Sequence, residues 1–476
     1  MGHHPKGFRS ELGSLPAVWA GDSGRQVGRE RDGMAGAEAL YRGFRPVMLA
    51  AIAVHFRRAI VLGAERFPKR GAVLVVANHP STWSDVLLLD ALLGRRQHFL
   101  AEAGQFHLWP RRILLRLFGT LPLWMSESGP RSSERNEETF RRCRRLFDRG
   151  EVVTIFPEGI SRTDRSLMPL RRGAARLALS YARCRGASRS FSIIPIGLRY
   201  SDRTAFRSDV ALRVGEPIPL AALRGEFSGD DPGAWDRLTE RLAGALRSLA
   251  VLAEDPRDEA ILSALAPIVT ARERDGAPAR EGGLERWVAA TRRDDPEGYR
   301  RLHRLARSHA RVLRALRVSD RILAEPSRSI AERSSAKRAA AALLAAPALV
   351  GAAIHALPVL LTRSAIRSFS YDPSQVAFAR IASGLFFLLL GYAALAGVFV
   401  RLLHAGAVAI LALFGACALL GLIALGAWER GRPGAERRRL AQIARRHPRL
   451  VERARRSREE LARWVSRADR PSGDGR

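Results

Sequence analysis

His79 and Asp85 stand six positions apart in "VVANHPSTWSDVLLLDALL" (75–93), just past a β-branched apolar run and at the head of a leucine-rich stretch. An imidazole can take a proton from a hydroxyl through one ring nitrogen while a carboxylate holds the N–H of the other. The carboxylate then fixes tautomer and orientation and stabilises the cation that forms. The pair reads as a general-base dyad. It reads equally as an aspartate favouring a helix N-terminus beside an unrelated histidine. A second polar cluster, "FPEG" (156–159), follows another β-branched run; its Glu158 can accept from a hydroxyl, and Gly159 allows close backbone approach. No thiol competes for the chemistry. Cys143, Cys184 and Cys417 are widely spaced without a CxxC pair, and the chain has no G-x-S-x-G elbow.

These residues need elements that bring them to one edge. From about 72 to 217 the pattern alternates: strand "AVLVVA", helix 85–93, strand "HFLAEA", helical 107–118, amphipathic helix 133–148, strand "VVTIF", helix 171–183, and strands "FSIIPIGL" and "VALRVG". Strands alternating with helices predict an α/β fold with a mostly parallel sheet flanked by helices. Such sheets carry their sites beyond the carboxyl ends of the strands, where Asn78-His79 and Glu158-Gly159 both fall.

Residues 1–33 mix Gly, Arg, Ser and His without an apolar core and read as a disordered extension, not a secretory signal. Residues 34–70 contain "VMLAAIAVHFRRAIVL" (47–62), which suits an amphipathic helix on a bilayer or one packed on the domain's own core. The α/β domain takes 71–218, and 219–335 is Arg/Ala/Leu/Glu-rich and helical in period. In the region 336–430, "IASGLFFLLLGYAALAGVFV" (381–400) and "AGAVAILALFGACALLGLIALGAW" (405–428) are uncharged and long enough to span a bilayer as a helical hairpin. Arg363, Arg367 and Arg380 before it and Arg430, Arg432 and Arg437 after it place both flanks in the cytoplasm. A third stretch, 339–361, is long enough to span but is interrupted by Pro347, His355 and Pro358. It reads as a third span, a re-entrant segment or an interfacial helix, the non-spanning readings being favoured because an odd number of spans would move the N-terminal domain to the other side. The tail 431–476 reads as a basic amphipathic helix or helix pair, solvated or lying on anionic headgroups.

The formal charge of +32 would ordinarily suggest nucleic acid. All but three of the 79 basic residues are arginine, however, spread along the whole chain, and no nucleic-acid module signature is present. No nucleic-acid partner is expected.

"NHPSTWSD", "FPEGISRTDRSLMPLRRGAARLAL" (156–179) and "IIPIGL" (193–198), in this order and each at a predicted strand end, resemble the glycerolipid acyltransferase family, which includes the lysophosphatidate and glycerol-phosphate acyltransferases. The resemblance covers about 70–217. The family's first block is usually His-x4-Asp. Five residues separate His79 from Asp85, a variant similar to a bacterial subgroup. Where the family's second block ends in a phosphate-binding Arg, "GTLPLWM" (119–125) has Met125, with Arg131 or Arg135 as substitutes a few residues on.

What the resemblance implies is an enzyme without cofactor or metal, moving a fatty acyl group from acyl-CoA or acyl carrier protein to a glycerol hydroxyl. The acceptor would be lysophosphatidate, glycerol 3-phosphate or another lysophospholipid. His79 would be the base and Asp85 its orienting partner, with Asn78, Glu158, Gly159, Arg162 and Arg171 toward the substrate and Pro195 structural. The apolar segments and their arginine flanks agree with the resemblance independently: they predict an integral protein of the cytoplasmic membrane with its catalytic domain inside and membrane lipids as partners. A catalytically inactive scaffold with the same fold is the reading from a different class, against which the intact His79, Asp85 and Glu158-Gly159 argue.

Overall fold

A computed structural model describes residues 26–107, 109–124, 131–159, 167–184, 190–226, 233–250, 256–274, 283–324, 342–368, 372–404 and 406–468. In chain order the elements begin α1 (Gln26–His55), β1 (Arg58–Leu62), β2 (Val73–Ala77), α2 (Thr82–Leu92), β3 (Gln97–Glu102), α3 (Trp109–Leu117), β4 (Leu121–Leu123), α4 (Ser132–Asp148) and β5 (Val152–Ile155). There follow α5 (Gly173–Ala182), β6 (Ser192–Tyr200), β7 (Asp209–Val214), β8 (Ile218–Pro219), α6 (Leu220–Glu226), α7 (Ala234–Ala250), α8 (Glu259–Arg274), α9 (Gly283–Asp294), α10 (Pro296–Leu316) and α11 (Asp320–Ala324). The last four are α12 (Ala345–Ser368), α13 (Val376–Leu403), α14 (Ala407–Arg446) and α15 (Pro448–Ala468).

The strands form one sheet in the order β1-β7-β6-β2-β5-β3-β4, with β8 also on β6. β6, β2, β5, β3 and β4 run parallel; β7 is antiparallel to β6 and carries β1 parallel to itself. Central β2 is buried at every residue, as the apolar run of a two-sided parallel strand requires. Its alternation supplies both cores. Leu74 and Val76 pack with Phe140, Phe147, Leu177 and Leu238 from α4, α5 and α7. Val73, Val75 and Ala77 face Met48 and Ile52 from α1, Leu88 from α2 and Phe118 just past α3.

The N-terminal segment departs from its sequence reading. α1 begins at Gln26, inside the stretch expected to be disordered, and the apolar run ends not in helix but in β1, paired with β7 from Arg58↔Asp209 to Leu62↔Arg213. Here β-branched Ile60 and Val61 meet an open sheet edge, and burial alternates through the strand. Of the two readings of the apolar run, the structure has the one packed on the domain: Tyr41, Met48, Ile52 and Phe56 are buried in its core.

Three helices, α12, α13 and α14, are long and apolar enough to cross a membrane, which fits a membrane-associated protein. The expectation of a two-helix hairpin thus becomes three. Pro347 falls in the first turn of α12, where a missing N–H costs nothing. Thr362 donates to the carbonyl of Pro358 at 2.8 Å, and His355 bonds Gly351 O at 2.8 Å and Tyr392 at 3.0 Å, so the polar groups inside α12 are satisfied by its neighbours. Gly351 and Gly421 let α12 and α14 approach where a Cβ would collide with Leu420 and His355.

α14 continues without a break into the basic tail. α15 then folds back so that Leu461, Trp464 and Val465 pack with Leu265, Val288 and Leu302 of α8 to α10. The apolar face of the tail is thereby occupied by a helical bundle. Arg207 joins the two halves of the chain: its guanidinium bonds the carbonyls of Ala53, Val54 and Phe56 at the end of α1 and pairs with Glu429 of α14 at 2.6 Å.

Candidate active site

β2 ends at Ala77, and the next residue extends its pairing with β6. Asn78 Nδ2 donates to Leu198 O at 3.1 Å and its Oδ1 accepts from Leu198 N at 2.7 Å. With both ends of the amide engaged and 2% exposure, Asn78 holds the strand end against β6. The backbone then turns, and His79 lies at the carboxyl edge of the sheet.

His79 Nδ1 lies 2.9 Å from Asp85 Oδ2. Asp85, on the first turn of α2, is fully buried; the imidazole keeps 15% exposure. A buried carboxylate only accepts, so Nδ1 carries the proton of the neutral ring and Nε2 is left as the acceptor. Two further donors hold Asp85: the backbone N–H of Ser81 to Oδ2 at 2.7 Å and the Tyr200 hydroxyl to Oδ1 at 2.5 Å. Burial, with the Asp85 charge beside it, pushes the Tyr200 phenol well above its ordinary range, so it stays a donor. One face of the His79 ring stacks on Phe156, with centroids 3.8 Å apart at 11°.

The stretch between the two dyad members is strained. Thr82 has φ +30°, a left-handed value that a β-branched residue rarely adopts. Strain of this kind persists where the surroundings over-determine it. Here Ser81 N is fixed to Asp85, Ser81 Oγ donates to Ser374 O at 3.1 Å, and Thr82 Oγ1 shares a hydrogen bond with Ser374 Oγ at 2.9 Å. Ser374 opens α13, and one turn on Phe378 stacks against Trp83 of α2 at 5.5 Å. On the neighbouring loop Arg380 donates to Thr204 O at 2.8 Å.

Glu158 arrives from the end of β5. Its Oε1 accepts the backbone N–H of His79 at 2.9 Å and its Oε2 that of Met168 at 3.2 Å. Burial raises its carboxyl above the usual range, against the pull of these two N–H groups and of His79. The glutamate therefore ties the segment carrying His79 to the one that follows Gly159. Gly159 itself sits at φ +74°, closing a turn onto Phe156 O at 3.2 Å. The backbone of Arg171 donates to Pro157 O at 2.8 Å, which leaves its exposed side chain beside this turn. Arg162 and Met125 lie outside the described residues. Of the substitutes considered for Met125, Arg135 lies over the Trp124 ring at 5.7 Å and Arg131 precedes α4 as its N-cap. Pro195 pairs with Val76 in the middle of the sheet.

Tyr200 and Ser374 escaped the sequence reading. The signal for Tyr200 was there: "IIPIGLRY" carries its one hydroxyl at the end of a strand whose neighbours deliver the dyad. Nothing local marks Ser374. Among the described residues no group of three or more His, Cys, Asp or Glu side chains could hold a metal ion.

Residues 58–199 match the family model described as Acyltransferase. The chain is 34% identical over 121 residues to glycerol-3-phosphate O-acyltransferase 2 of Saccharomyces cerevisiae, covering 25% of this chain and 16% of that protein. It is 29% identical over 140 residues to the chloroplastic 1-acyl-sn-glycerol-3-phosphate acyltransferase BAT2 of Brassica napus, covering 29% of this chain and 39% of that one. The chain thus spans well under half the length of either relative. The crystal structure of the 1-acyl-sn-glycerophosphate acyltransferase PlsC from Thermotoga maritima aligns with a TM-score of 0.34 at 18% identity, over 46% of this chain and 80% of that one. The matched segment holds His79, Asp85, Glu158 and Arg171, and it is this α/β domain that is similar to glycerolipid acyltransferases.

Proposed function

We propose that this chain is a membrane-bound O-acyltransferase that moves a fatty acyl group from acyl-CoA or acyl carrier protein to a glycerol hydroxyl of lysophosphatidate in phospholipid biosynthesis. The 2.9 Å bond between His79 Nδ1 and Asp85 carries this reading, because it leaves Nε2 free to accept a proton on a ring that keeps some exposure. Nε2 takes the proton of the acceptor hydroxyl as its oxygen attacks the thioester carbonyl, and the Asp85 carboxylate stabilises the imidazolium. When the tetrahedral intermediate collapses, the C–S bond breaks, the ester carbonyl re-forms, and the departing thiolate takes the proton from His79. No acyl-enzyme is needed, since a thioester is open to direct attack by an activated hydroxyl.

Glu158 serves the reaction by holding the His79 backbone, while binding of the acceptor is assigned to Gly159, Arg162 and Arg171, the two arginines for its phosphate. The three apolar helices deliver lipid substrates by diffusion in the plane of the bilayer. The Arg207–Glu429 pair and the Arg380 contact put the α/β domain at the arginine-rich ends of α13 and α14, which supports a catalytic domain on the cytoplasmic side of the cell membrane.

The test is thiol release from a long-chain acyl-CoA by the full chain in nanodiscs, with lysophosphatidate, glycerol 3-phosphate or a lysophospholipid as acceptor, repeated with acyl carrier protein as donor. Release that needs lysophosphatidate and disappears in His79→Ala is expected. Release that needs a different acceptor replaces the substrate, activity unchanged in His79→Ala removes the dyad, and silence with every pair of substrates leaves the scaffold reading.

A further inference from the structure

The loop between the dyad members is held from two directions. The α/β domain supplies Tyr200 and Glu158, which fix Asp85 and the backbone of His79. The segment leading into the apolar helix α13 supplies Ser374, which holds both Ser81 and Thr82. We infer that Ser374 is a positioning residue for catalysis: by clamping strained Thr82 and neighbouring Ser81, the membrane segment keeps His79 and Asp85 in register.

Three observations bear on this. Ser374 is 3% exposed, although it opens a helix whose flanking apolar side chains are largely uncovered, so its burial comes from the loop it touches. The contact is rigid on the membrane side as well. Ser374 N donates to Asp372 Oδ1 at 2.8 Å and Gln375 N to Asp372 O at 2.8 Å, forming a turn that fixes Ser374 before α13 begins. Beside it Trp83 on Phe378 adds an apolar contact between α2 and α13. Finally, the residue Ser374 bonds by side chain, Thr82, is the one held at positive φ, and Ser81, the one it bonds by backbone, donates its N–H to Asp85. Released from Ser374, the 81–82 backbone can relax toward ordinary φ and carry the Ser81 N–H away from the carboxylate. A shift of this size next to the reacting groups lowers the rate without touching substrate contacts.

This inference rests on the proposed acyl transfer for its kinetic readout but not for its structural one. Ser374→Ala and Thr82→Val each remove one hydroxyl of the pair and keep the shape of the site. In full-length protein in nanodiscs, either variant is expected to lower kcat about tenfold with KM within about twofold of wild type. The double variant should be no worse than the singles, because both remove the same bond. Amide hydrogen exchange across residues 79–88 should rise at least about threefold in Ser374→Ala while exchange in β2 and β5 stays unchanged. Unchanged kcat, unchanged exchange in the loop, or additive losses in the double variant each overturn the inference. Should wild-type protein transfer no acyl group to any acceptor, the functional proposal falls by itself, and the exchange measurement alone decides whether Ser374 holds the loop.

Discussion

Tyr200→Phe isolates the bond that fixes the plane of the Asp85 carboxylate, the group proposed to orient His79. Of the three donors on Asp85, His79 and Ser81 share Oδ2, and the Tyr200 hydroxyl is the one on Oδ1. Phenylalanine keeps the ring and its packing against Phe56, and removes one oxygen. A carboxylate with no exposure then has a bare oxygen where a charge-assisted bond stood, which costs about 1.5–3 kcal/mol. For a domain of this size the loss corresponds to a fall of roughly 4–10 °C in the melting temperature. The carboxylate also gains freedom to rotate about its Cβ–Cγ bond, and His79 turns with it, so kcat should fall about 10- to 100-fold. KM should hold, because Tyr200 is buried behind Asp85 and away from the exposed edge of the imidazole. The assay is thiol release in nanodiscs with thermal unfolding in the same preparation. Introduced into Asp85→Asn, the same change should add little, since the charge it served is gone. A Tyr200→Phe protein with the expected loss of stability and wild-type kcat would refute the argument that the orientation of Asp85 limits the reaction. An equal loss of kcat in the wild-type and Asp85→Asn backgrounds would show that Tyr200 acts by another route.

Glu158→Gln should lower kcat about tenfold in the same assay, because a glutamine can accept only one of the two N–H groups, from His79 and Met168, and turns its own donors on the other; full activity would remove Glu158 from the support of the His79 loop. Asp90 tests the fold rather than the chemistry: burial pushes its carboxyl up to about 6 against the Gln97 N–H, Arg96 and Arg45. A carboxyl raised in the fold contributes stability that is complete below its ordinary value of 3.8 and is lost as pH rises through about 6. At about 1.4 kcal/mol per tenfold change in proton affinity the loss approaches 3 kcal/mol, so Asp90→Asn should unfold at higher temperature than wild type at pH 8 and lose that advantage at pH 4. An advantage independent of pH would contradict the assignment.

The sheet and the dyad were legible because their signals are local. "AVLVVA" followed by Asn78-His79, and "VVTIF" followed by Glu158-Gly159, each put an apolar strand and its polar terminus within ten residues, and parallel pairing of β2 with β5 brings the termini together. The support of the dyad was not legible, because it arrives from far along the chain. Tyr200 and Ser374 reach Asp85 and Thr82 from 115 and 292 residues away, and no periodicity encodes such a meeting. The bonds of Asn78 were hidden for a related reason: sequence shows an amide at a strand end but not the backbone of Leu198 waiting on the next strand. In α12 the prolines masked a continuous helix: Pro347 falls in its first turn, where the missing N–H costs nothing, and the helix runs on through Pro358.

The bonds from Ser374 to Ser81 and Thr82 also set an order of events during synthesis. When the sheet through β7 has left the ribosome, the segment that clamps the dyad has yet to be made. Residue 374 follows the end of β7 at Val214 by about 160 positions. At bacterial-to-eukaryotic elongation rates that interval is about 8–32 s. For that time the nascent domain carries its histidine and aspartate on a loop held only from the sheet side, and Thr82 has no Ser374 to hold it at positive φ. Completion of the loop that carries His79 and Asp85 thus waits for the residues that lead into α13, the second of the three apolar helices.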